Sequence, residues 1–411
     1  MESEKRCRYC NTRLERVLLD LGEAPPSNSY LTQDDLLKPE ARYPLKAMIC
    51  DKCFLVQLDE PKKAREIFNA DYAYYSSYSK SWLEHCRKFA HDIIPGLSLQ
   101  TGDLVVEIAS NDGYLLQYFR DHGMETLGIE PAAGTADVAI KRGIPTIVEY
   151  FGQELANRLR VEGIQAKLLI GNNVLAHVPD ILDFVMGMKQ VLHPEGTITM
   201  EFPHLLNLIE QTQFDTIYHE HFSYLSLGTV SSIFRHCGLI VHHVAEIPTH
   251  GGSLRIYAGH ETSMKEPTQE FMRVIGKETE SGLNRPEGYH LFAERAGKIR
   301  TDFTDFLQAQ KLSGKQVVAY GAAAKGNTLL NFCGAGPQEI AFVADASPHK
   351  QGKFLPGSHI PVVSEAKIGE TKPGYVVIFP WNLREEISTQ LAYIRDWGGQ
   401  FVVAVPELEI F

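Results

Sequence analysis

Four of the seven cysteines stand in two pairs, Cys7-x-x-Cys10 and Cys50-x-x-Cys53. Two such turns present four thiolates, which is the ligand set of a tetrahedral structural zinc site. A redox pair or two disulfides are the alternatives, but two pairs at the ends of one short segment favour zinc. Because Cys fills all four positions, no place remains for a catalytic water. We therefore predict a structural Zn2+.

A second group of reactive side chains lies in the segment DTIYHEHFSY, residues 215–224. A histidine titrates near neutral pH, and an adjacent carboxylate can orient it and raise its basicity. A second metal site is the first alternative, but the spacing differs from His-Glu-x-x-His on a helix. A polar loop whose groups satisfy one another is the second. The segment favours acid–base chemistry.

Strands alternate with helices from residue 101 onward. A buried strand, Leu104–Ile108, is followed by a polar loop, a helix and a second strand that ends on Glu130. This alternation predicts an α/β fold with a parallel sheet and helices on both faces. Ligands of such sheets bind at the carboxyl ends of the strands. Further strands are predicted at 145–148, 166–171 and 196–202.

The loop EIASNDG after the first of these strands resembles the first motif of class I methyltransferases, Glu/Asp-x-Gly-x-Gly-x-Gly. Ala109 and Asn111 replace two of its glycines. A loop with so few glycines suits a pyrophosphate poorly, but S-adenosylmethionine has no pyrophosphate. Glu130 is placed to accept hydrogen bonds from the ribose hydroxyls of an adenosine group. The cofactor-binding candidates here are Glu107, Ala109, Ser110, Asn111, Gly113 and Glu130.

Two later features favour the same fold. Asn172, Asn173 and His177 follow the fourth strand, where methyltransferases line the methionine end of the cofactor. Two strands at 239–247 and 253–257 match the antiparallel hairpin that closes a methyltransferase sheet. Ordinary dinucleotide-binding folds do not end in this way.

The last third of the chain begins with helical periodicity over 262–309, broken around 282–288. A new strand, turn and helix follow from Lys315, a strand at 340–344 ends on Asp345, and a last strand is predicted at 375–379. Gly321, Lys325 and Gly326 at the helix start could hold a phosphate. We predict a second, smaller Rossmann-like domain. The incomplete glycine pattern disfavours NAD there, and a merely structural domain is the alternative.

Taken in order, the motifs resemble the family of sugar C-methyltransferases that act on nucleotide-linked 4-keto-6-deoxy hexoses. They are the four-cysteine knuckle, SNDG at 110–113, NNVLAH at 172–177, YHEHFSY at 218–224 and HGGSLR at 250–255. The resemblance spans nearly the whole chain, with Ala109 where the family has Gly. It implies that His221 is the catalytic base, with Tyr218 and Glu220 beside it.

The reaction implied by this resemblance adds a methyl group to the carbon next to the ketone, C3 or C5, through an enolate. His221 would remove the proton, oriented by Glu220. Tyr218, or a tyrosine of the segment 72–79, would hold the ketone oxygen. The segment 72–79 would also cover the cofactor; the alternative is that it only packs between two domains. The C-terminal domain would help to bind the nucleotide sugar. The substrate-binding candidates are Tyr75, Tyr78, His250, Arg255, Lys325 and Asn327.

Two other functions stay open at this point. One is an NAD-dependent nucleotide-sugar oxidoreductase or epimerase that uses the C-terminal unit. The other is a non-catalytic zinc scaffold that binds partners through the knuckle.

The expected organisation is a zinc-binding subdomain at 1–70, a cofactor domain at 71–260, and a helical linker with the second Rossmann-like domain at 261–411. A net charge of −11 without a basic cluster argues against a nucleic-acid partner. The apolar runs are too short to cross a bilayer. Since no secretory signal is visible, we expect a cytoplasmic protein, and a monomer is slightly preferred.

Overall fold

The computed structural model describes residues 4–59, 75–263 and 265–411. Its strands are β1 Arg16–Ala24, β2 Tyr43–Ile49, β3 Val56–Leu58, β4 Leu104–Ile108, β5 Glu125–Ile129, β6 Thr146–Ile147, β7 Ala166–Asn172, β8 Leu192–Pro203, β9 Ser223–Tyr224, β10 Leu239–Ile247, β11 Ser253–His260, β12 Val317–Tyr320, β13 Val343–Ala344, β14 Val362–Val363, β15 Tyr375–Ile378, β16 Gln400–Val403 and β17 Glu409–Ile410. Its α-helices are α1 Lys80–Gly96, α2 Leu116–Asp121, α3 Ala133–Lys141, α4 Gln153–Val161, α5 Ile181–Val191, α6 Leu205–Glu210, α7 Leu227–His236, α8 Gln269–Glu280, α9 Phe292–Leu312, α10 Ala324–Cys333, α11 Ala366–Thr371 and α12 Arg384–Gln390.

The first sheet is antiparallel, in the order β1-β2-β3-β9. One cysteine pair precedes β1 and the other lies between β2 and β3. Strand β9 comes from the segment 215–224, far along the chain, and its Ser223 pairs with Gln57. This sheet therefore joins the cysteine knuckle to the predicted acid–base segment.

The central sheet has the order β10-β11-β8-β7-β4-β5-β6, and its five strands β4 to β8 are parallel. Along β4, Val105 packs with residues of α1 and α2, whereas Val106 and Ile108 pack with residues of α4 and α5. Both faces of this strand are thus buried, as its continuous apolar sequence predicts. The antiparallel pair β10 and β11 closes one edge. The class I methyltransferase fold is confirmed.

The third sheet has the order β14-β13-β12-β15-β16-β17, parallel except for β17. It is the predicted second Rossmann-like unit. The prediction that the strand near 375–379 is the last one was wrong, because β16 and β17 follow it. The apolar run at 401–403 lies in β16 beside β15, and its successive side chains are buried on both faces, as in other parallel strands.

Helices α8 and α9 connect the two Rossmann-like sheets, and the predicted break between them is present. At this break Gly282 has φ +80, and a Cβ on Gly288 would lie 2.4 Å from the carbonyl oxygen of Gly282. Both positions therefore favour glycine. None of the described helices is both long and apolar enough to span a membrane.

The chain between β1 and β2 reaches across to the third sheet's domain. The backbone N–H of Leu31 donates to the carbonyl oxygen of Phe354 at 3.0 Å, and the reverse bond measures 2.8 Å. The Glu40 carboxylate accepts the backbone N–H of Gly357 at 3.0 Å. The three sheets are therefore linked through the N-terminal subdomain.

Candidate active site

The four paired cysteines converge at one point. The Sγ atoms of Cys7 and Cys53 lie 3.5 Å apart, those of Cys10 and Cys50 lie 3.4 Å apart, and all four are within 4.8 Å of one another. Tetrahedral zinc with Zn–S bonds of about 2.3 Å places its sulfur atoms roughly 3.8 Å apart. The cluster therefore fits Zn2+ bound by four thiolates.

Backbone and side-chain hydrogen bonds stabilise the two turns that present the cysteines. Asn11 and Phe54 each follow a Cys-x-x-Cys turn directly, and each has φ +58. Their N–H groups donate to the carbonyl oxygens of Cys7 and Cys50, both at 2.9 Å. The Nε2 of Gln57 lies 3.2 Å from the Sγ of Cys7 and donates to it. Such outer hydrogen bonds hold metal ligands in place.

The loop after β4 keeps the backbone shape of a glycine-rich motif without its glycines. Ala109 has φ +59, Asn111 has φ +49 and Gly113 has φ +76. A Cβ added to Gly113 would lie 3.1 Å from Cγ1 of Ile144 and 3.3 Å from Cβ of Ala139. The left-handed conformation at Ala109 favours glycine at this position.

This loop yields a paired prediction. We expect Ala109→Gly to be neutral or to stabilise the fold by about 1 kcal/mol, since it relieves a left-handed alanine. Gly113→Ala should destabilise it by at least about 1 kcal/mol, because it adds both strain and close contact. Urea unfolding of the two variants measures the difference. Equal effects would show that backbone conformation does not determine the sequence of this loop.

Glu130, just beyond β5, is fixed by the backbone. Its carboxylate accepts the N–H groups of Asn111 at 3.0 Å and Ala132 at 2.8 Å. Burial raises the pKa of this carboxyl, and the hydrogen bonds from these N–H groups act against that rise. A carboxylate can accept about four hydrogen bonds, so binding of the ribose hydroxyls remains the prediction for Glu130.

Other polar groups at the same strand ends are buried without partners. Among the described residues, the Ser110 hydroxyl and the Asn172 amide have no hydrogen-bond partner, and the Glu107 carboxyl beside them is fully buried. Burial raises the pKa of Glu107 well above its usual value, and the nearby Tyr114 hydroxyl acts against that rise. Buried polar groups normally require partners, so this edge of the sheet fits a polar cofactor with a cationic group.

The hydrogen bonds of His221, in the segment 215–224, define which ring nitrogen carries the proton. The Nδ1 of His221 lies 2.8 Å from the carbonyl oxygen of Thr216, which can only accept, so Nδ1 donates. The neutral ring then has its lone pair on Nε2, which accepts the Tyr218 hydroxyl at 2.9 Å. Burial, followed by the neighbouring His177 ring at 4.7 Å, holds the pKa of His221 well below its usual range.

Glu220 does not orient His221 as predicted. Its Oε1 instead accepts the side-chain N–H of Asn28 at 2.6 Å. A turn closed by the His221 N–H and the Tyr218 carbonyl oxygen, 2.9 Å apart, explains the difference. It brings Tyr218 and His221 together, whereas the Glu220 carboxylate reaches the N-terminal subdomain. The carbonyl of Thr216 has the orienting role. Burial raises the pKa of Glu220 to about 7.

Residues of the C-terminal domain meet this segment directly. The indole Nε1 of Trp381 donates to Oδ2 of Asp215 at 2.8 Å, and the Thr328 hydroxyl donates to the Ile217 carbonyl oxygen at 3.1 Å. The ammonium group of Lys325 lies 4.1 Å from the centre of the Trp381 ring. Burial lowers the pKa of Lys325 to about 8. Asn327 is buried, and its amide has no partner among the described residues.

His250 joins the same region from the β10–β11 turn. Its φ is +58, and its Nε2 lies 3.1 Å from Nδ2 of Asn173. The carbonyl oxygen of His250 is 3.4 Å from Nζ of Lys325. Burial, and then the charge of Lys325, lower the pKa of His250 to about 4. The structure thus brings His177, His221, His250 and Lys325 together.

The predicted tyrosine segment is described from Tyr75 onward, and Tyr72 to Tyr74 lie outside the described residues. The rings of Tyr75 and Tyr78 are 5.6 Å apart. Both face His349 of the C-terminal domain, at 5.9 and 6.2 Å. Tyr78 remains 65% exposed. These rings line the surface between the two Rossmann-like domains.

Arg255 has a different role from the one predicted. Its Nε donates to Oε1 of Glu201 at 2.6 Å, and its guanidinium lies 4.1 Å from the centre of the Phe89 ring. The Nε2 of His85 is 3.1 Å from both oxygens of Glu201. Arg255 and Glu201 are both buried, and they neighbour each other on β11 and β8. The guanidinium is therefore part of a buried ion pair rather than free for a substrate.

This ion pair yields a second prediction. We expect Arg255→Ala to lower the free energy of unfolding by about 3–5 kcal/mol, because it leaves the buried Glu201 carboxylate without its partner. Arg158→Ala is the control, since its pair with Glu149 is exposed and should contribute less than about 1 kcal/mol. Urea unfolding measures both. If Arg255→Ala leaves the free energy of unfolding unchanged and raises the KM for the substrate, Arg255 binds the substrate as the sequence predicts.

Comparison with known proteins shows which family has this sequence pattern. The sequence matches the families described as zinc binding domain at residues 7–68, methyltransferase domain at 82–244 and C-methyltransferase C-terminal domain at 248–406. C-methyltransferase NovU of Streptomyces niveus is 34% identical over 401 residues, which cover 98% of this chain and 95% of NovU. The chain belongs to the C-methyltransferase family. The predicted family is confirmed.

This C-methyltransferase uses S-adenosylmethionine as its cofactor and holds Zn2+ on its four paired cysteines. The buried groups at the ends of β4 and β7 and the spacing of the sulfur atoms fit these two roles. The comparisons support a methyltransferase over the two alternatives, an NAD-dependent oxidoreductase and a non-catalytic scaffold.

Solved structures show weaker likeness to the C-methyltransferase. Magnesium protoporphyrin IX methyltransferase from Synechocystis PCC 6803 is 14% identical with a TM-score of 0.34, covering 43% of this chain and 82% of its own. An S-adenosylmethionine-dependent methyltransferase from Clostridium acetobutylicum is 9% identical with a TM-score of 0.36, covering 43% and 92%. At these TM-scores neither likeness adds to the argument from the sheet itself.

Sequence reasoning missed three contributors to the site. They are the amide of Asn28, the carbonyl group of Thr216 and the pair formed by Asp215 and Trp381. A backbone carbonyl gives no signal in a sequence. Asn28 lies in the loop segment Pro25-Pro26-Ser27-Asn28, whose composition is ordinary, and its partner Glu220 is 192 positions away.

Proposed function

We propose that this C-methyltransferase methylates the carbon next to the ketone of a nucleotide-linked 4-keto-6-deoxy sugar, most simply C3, through an enolate. The supporting observation is the pair of His221 and Tyr218. The Nε2 of His221 has a lone pair, and a hydroxyl donor lies 2.9 Å from it. A carbon next to a ketone becomes nucleophilic when a base takes its proton while a donor stabilises the oxygen.

The chain's own groups carry out the first step. The Nε2 of His221 takes the proton from the carbon, the C–H electrons form the C=C bond of the enolate, and negative charge moves to the ketone oxygen. The Tyr218 hydroxyl, which donates to Nε2 without substrate, donates to that oxygen instead. Burial keeps the imidazole neutral and so able to accept a proton. S-adenosylmethionine, when bound, supplies an electrophilic methyl group, and Glu107, Asn172, Asn173 and His177 would hold its methionine end.

The protonation states of Glu220 and Lys325 near neutral pH bear on the proposed mechanism. With its pKa near 7, the Glu220 carboxyl is partly protonated at neutral pH. Lys325, with its pKa near 8, is mostly charged at that pH. It lies in the first turn of α10 and fits either a phosphate of the nucleotide or the oxygen of the enolate.

The remaining contacts of the nucleotide sugar are proposed between the two Rossmann-like domains. Tyr75 and Tyr78 offer aromatic faces there, and Asn327 offers a buried amide without a partner in the described ranges. His250 lies beside Lys325 and Asn173. These groups come from three parts of the chain, which suits a ligand with a base, a diphosphate and a sugar.

Incubation of the pure protein with S-adenosylmethionine and a panel of nucleotide-linked 4-keto-6-deoxy hexoses tests this proposal. Mass spectrometry should show one sugar that gains a methyl group while S-adenosylhomocysteine forms. The same sugars reduced at C4 are the matched control and should not react, because they cannot form an enolate. Methylation of the reduced sugars, or of none of the panel, would contradict the proposal.

A further inference from the structure

One arginine of the zinc knuckle leaves the metal site and reaches the catalytic segment. Arg8 lies between Cys7 and Cys10 in the sequence. Its Nη2 donates to the carbonyl oxygen of Leu58 at 2.6 Å, and its Nη1 donates to the carbonyl oxygen of Phe222. Phe222 is the residue directly after His221.

The backbone of Arg8 is fixed as firmly as its side chain. Its N–H donates to Oε1 of Gln57 at 3.0 Å, and the Nε2 of the same Gln57 donates to the Sγ of Cys7 at 3.2 Å. Gln57 also pairs with Ser223 across β3 and β9. The metal site, Arg8 and the residues that follow His221 therefore form one connected network.

Several hydrogen bonds of this network hold the backbone on either side of the His221 ring. The Phe222 carbonyl oxygen also accepts the N–H of Leu58 at 3.1 Å, so two donors from the N-terminal subdomain hold it. His221 is held on its other side by the carbonyl of Thr216. A shift of about 1 Å in a reacting group can lower a rate by about a hundredfold.

We propose that Arg8 is a positioning residue that fixes the His221 imidazole, so that the zinc knuckle sets the geometry of the base. The inference rests on the proposed function only for the role of His221 as base. It predicts that Arg8 acts without touching the substrate or the cofactor. Its effect should therefore be visible in the ring of His221 itself.

Nuclear magnetic resonance of the full zinc-loaded chain, with 15N-labelled histidine, tests this directly. The Nδ1–H signal of His221 is identified by its loss in His221→Asn. In Arg8→Ala its exchange with water should speed up by about tenfold, since the bond to Thr216 opens more often. Arg8→Lys keeps the charge and donates from one nitrogen, so it should restore part of the protection.

Arg13→Ala is the matched control, because Arg13 belongs to the same subdomain but pairs with Glu15 on the surface. It should leave the His221 signal unchanged. The inference is overturned if Arg8→Ala retains zinc and the signal does not change. If Arg8→Ala loses zinc, Arg8→Met decides, because it keeps a long side chain without the N–H donors: a wild-type signal in a zinc-loaded Arg8→Met protein overturns the inference.

Activity separates this inference from the proposed function. If wild-type protein methylates a keto sugar, Arg8→Ala should lower kcat about tenfold with unchanged affinity for S-adenosylmethionine. If wild-type protein methylates no keto sugar, the proposed substrate is wrong, but the histidine signal still decides the role of Arg8.

Discussion

Replacement of His221 by Asn should lower kcat for methyl transfer about a thousandfold while the affinity for S-adenosylmethionine stays unchanged, since a general base contributes roughly 10²–10⁴-fold. The Nε2 of His221 is the proposed proton acceptor, whereas the groups proposed to hold the cofactor follow β4, β5 and β7. Asparagine keeps a polar side chain that can bond to the Thr216 carbonyl oxygen. Isothermal titration and steady-state kinetics measure the two quantities.

His219→Asn is the matched control for this variant. It makes the same substitution two positions away, on a ring whose Nε2 lies 3.3 Å from the carbonyl oxygen of Tyr43. We expect His219→Asn to change stability more than kcat. If both variants lose the same activity, the loss in His221→Asn reflects damage to the segment, and His221 is not the base.

Loss of zinc should have the largest effect on folding. The apparent free energy of binding at structural zinc sites is about 10–16 kcal/mol, and most of it supports folding. Cys50→Ser removes one of four ligands, so we expect a zinc-free protein whose β1–β3 sheet exchanges its amide hydrogens rapidly. Because β9 pairs with β3, the segment 218–224 should lose protection too, and methyl transfer should be abolished.

The third sheet gives the internal reference for this experiment. Strands β12 to β16 should lose less protection against hydrogen exchange than β1 to β3, since they hydrogen-bond to one another in a separate sheet, although the two sheets share an apolar core. Cys333→Ala is the control variant, because Cys333 lies on α10, outside the four-cysteine group. A zinc-free Cys50→Ser protein with wild-type activity would show that the knuckle is independent of the active site.

The parts of the fold that local patterns encode were predictable from the sequence. Strand β4 is a continuous apolar run, and the hairpin of β10 and β11 is joined by a turn rich in glycine. The spacing of the four cysteines was sufficient to predict the zinc site. Tyr218 and His221 are only three positions apart in the sequence, and the turn between them explains their hydrogen bond.

Contacts between distant parts of the chain were not predictable in this way. The side chain of Asn28 meets Glu220, and that of Arg8 meets the carbonyl of Phe222, although neither pair is marked by any local pattern. The role of Arg255 was mistaken for the same reason. Its partner Glu201 lies on another strand, and a sequence does not show which charge a buried arginine will meet.

The central claim is that a carbon next to a ketone receives the methyl group. The most direct test supplies S-adenosylmethionine labelled with 13C in its methyl group to the protein and a nucleotide-linked 4-keto-6-deoxy hexose, and follows the product by NMR. We predict a labelled methyl group coupled to a ring carbon beside C4 that has lost its proton, and no such product with His221→Asn. A labelled methyl group on oxygen or nitrogen, or full carbon methylation by His221→Asn, would contradict the account.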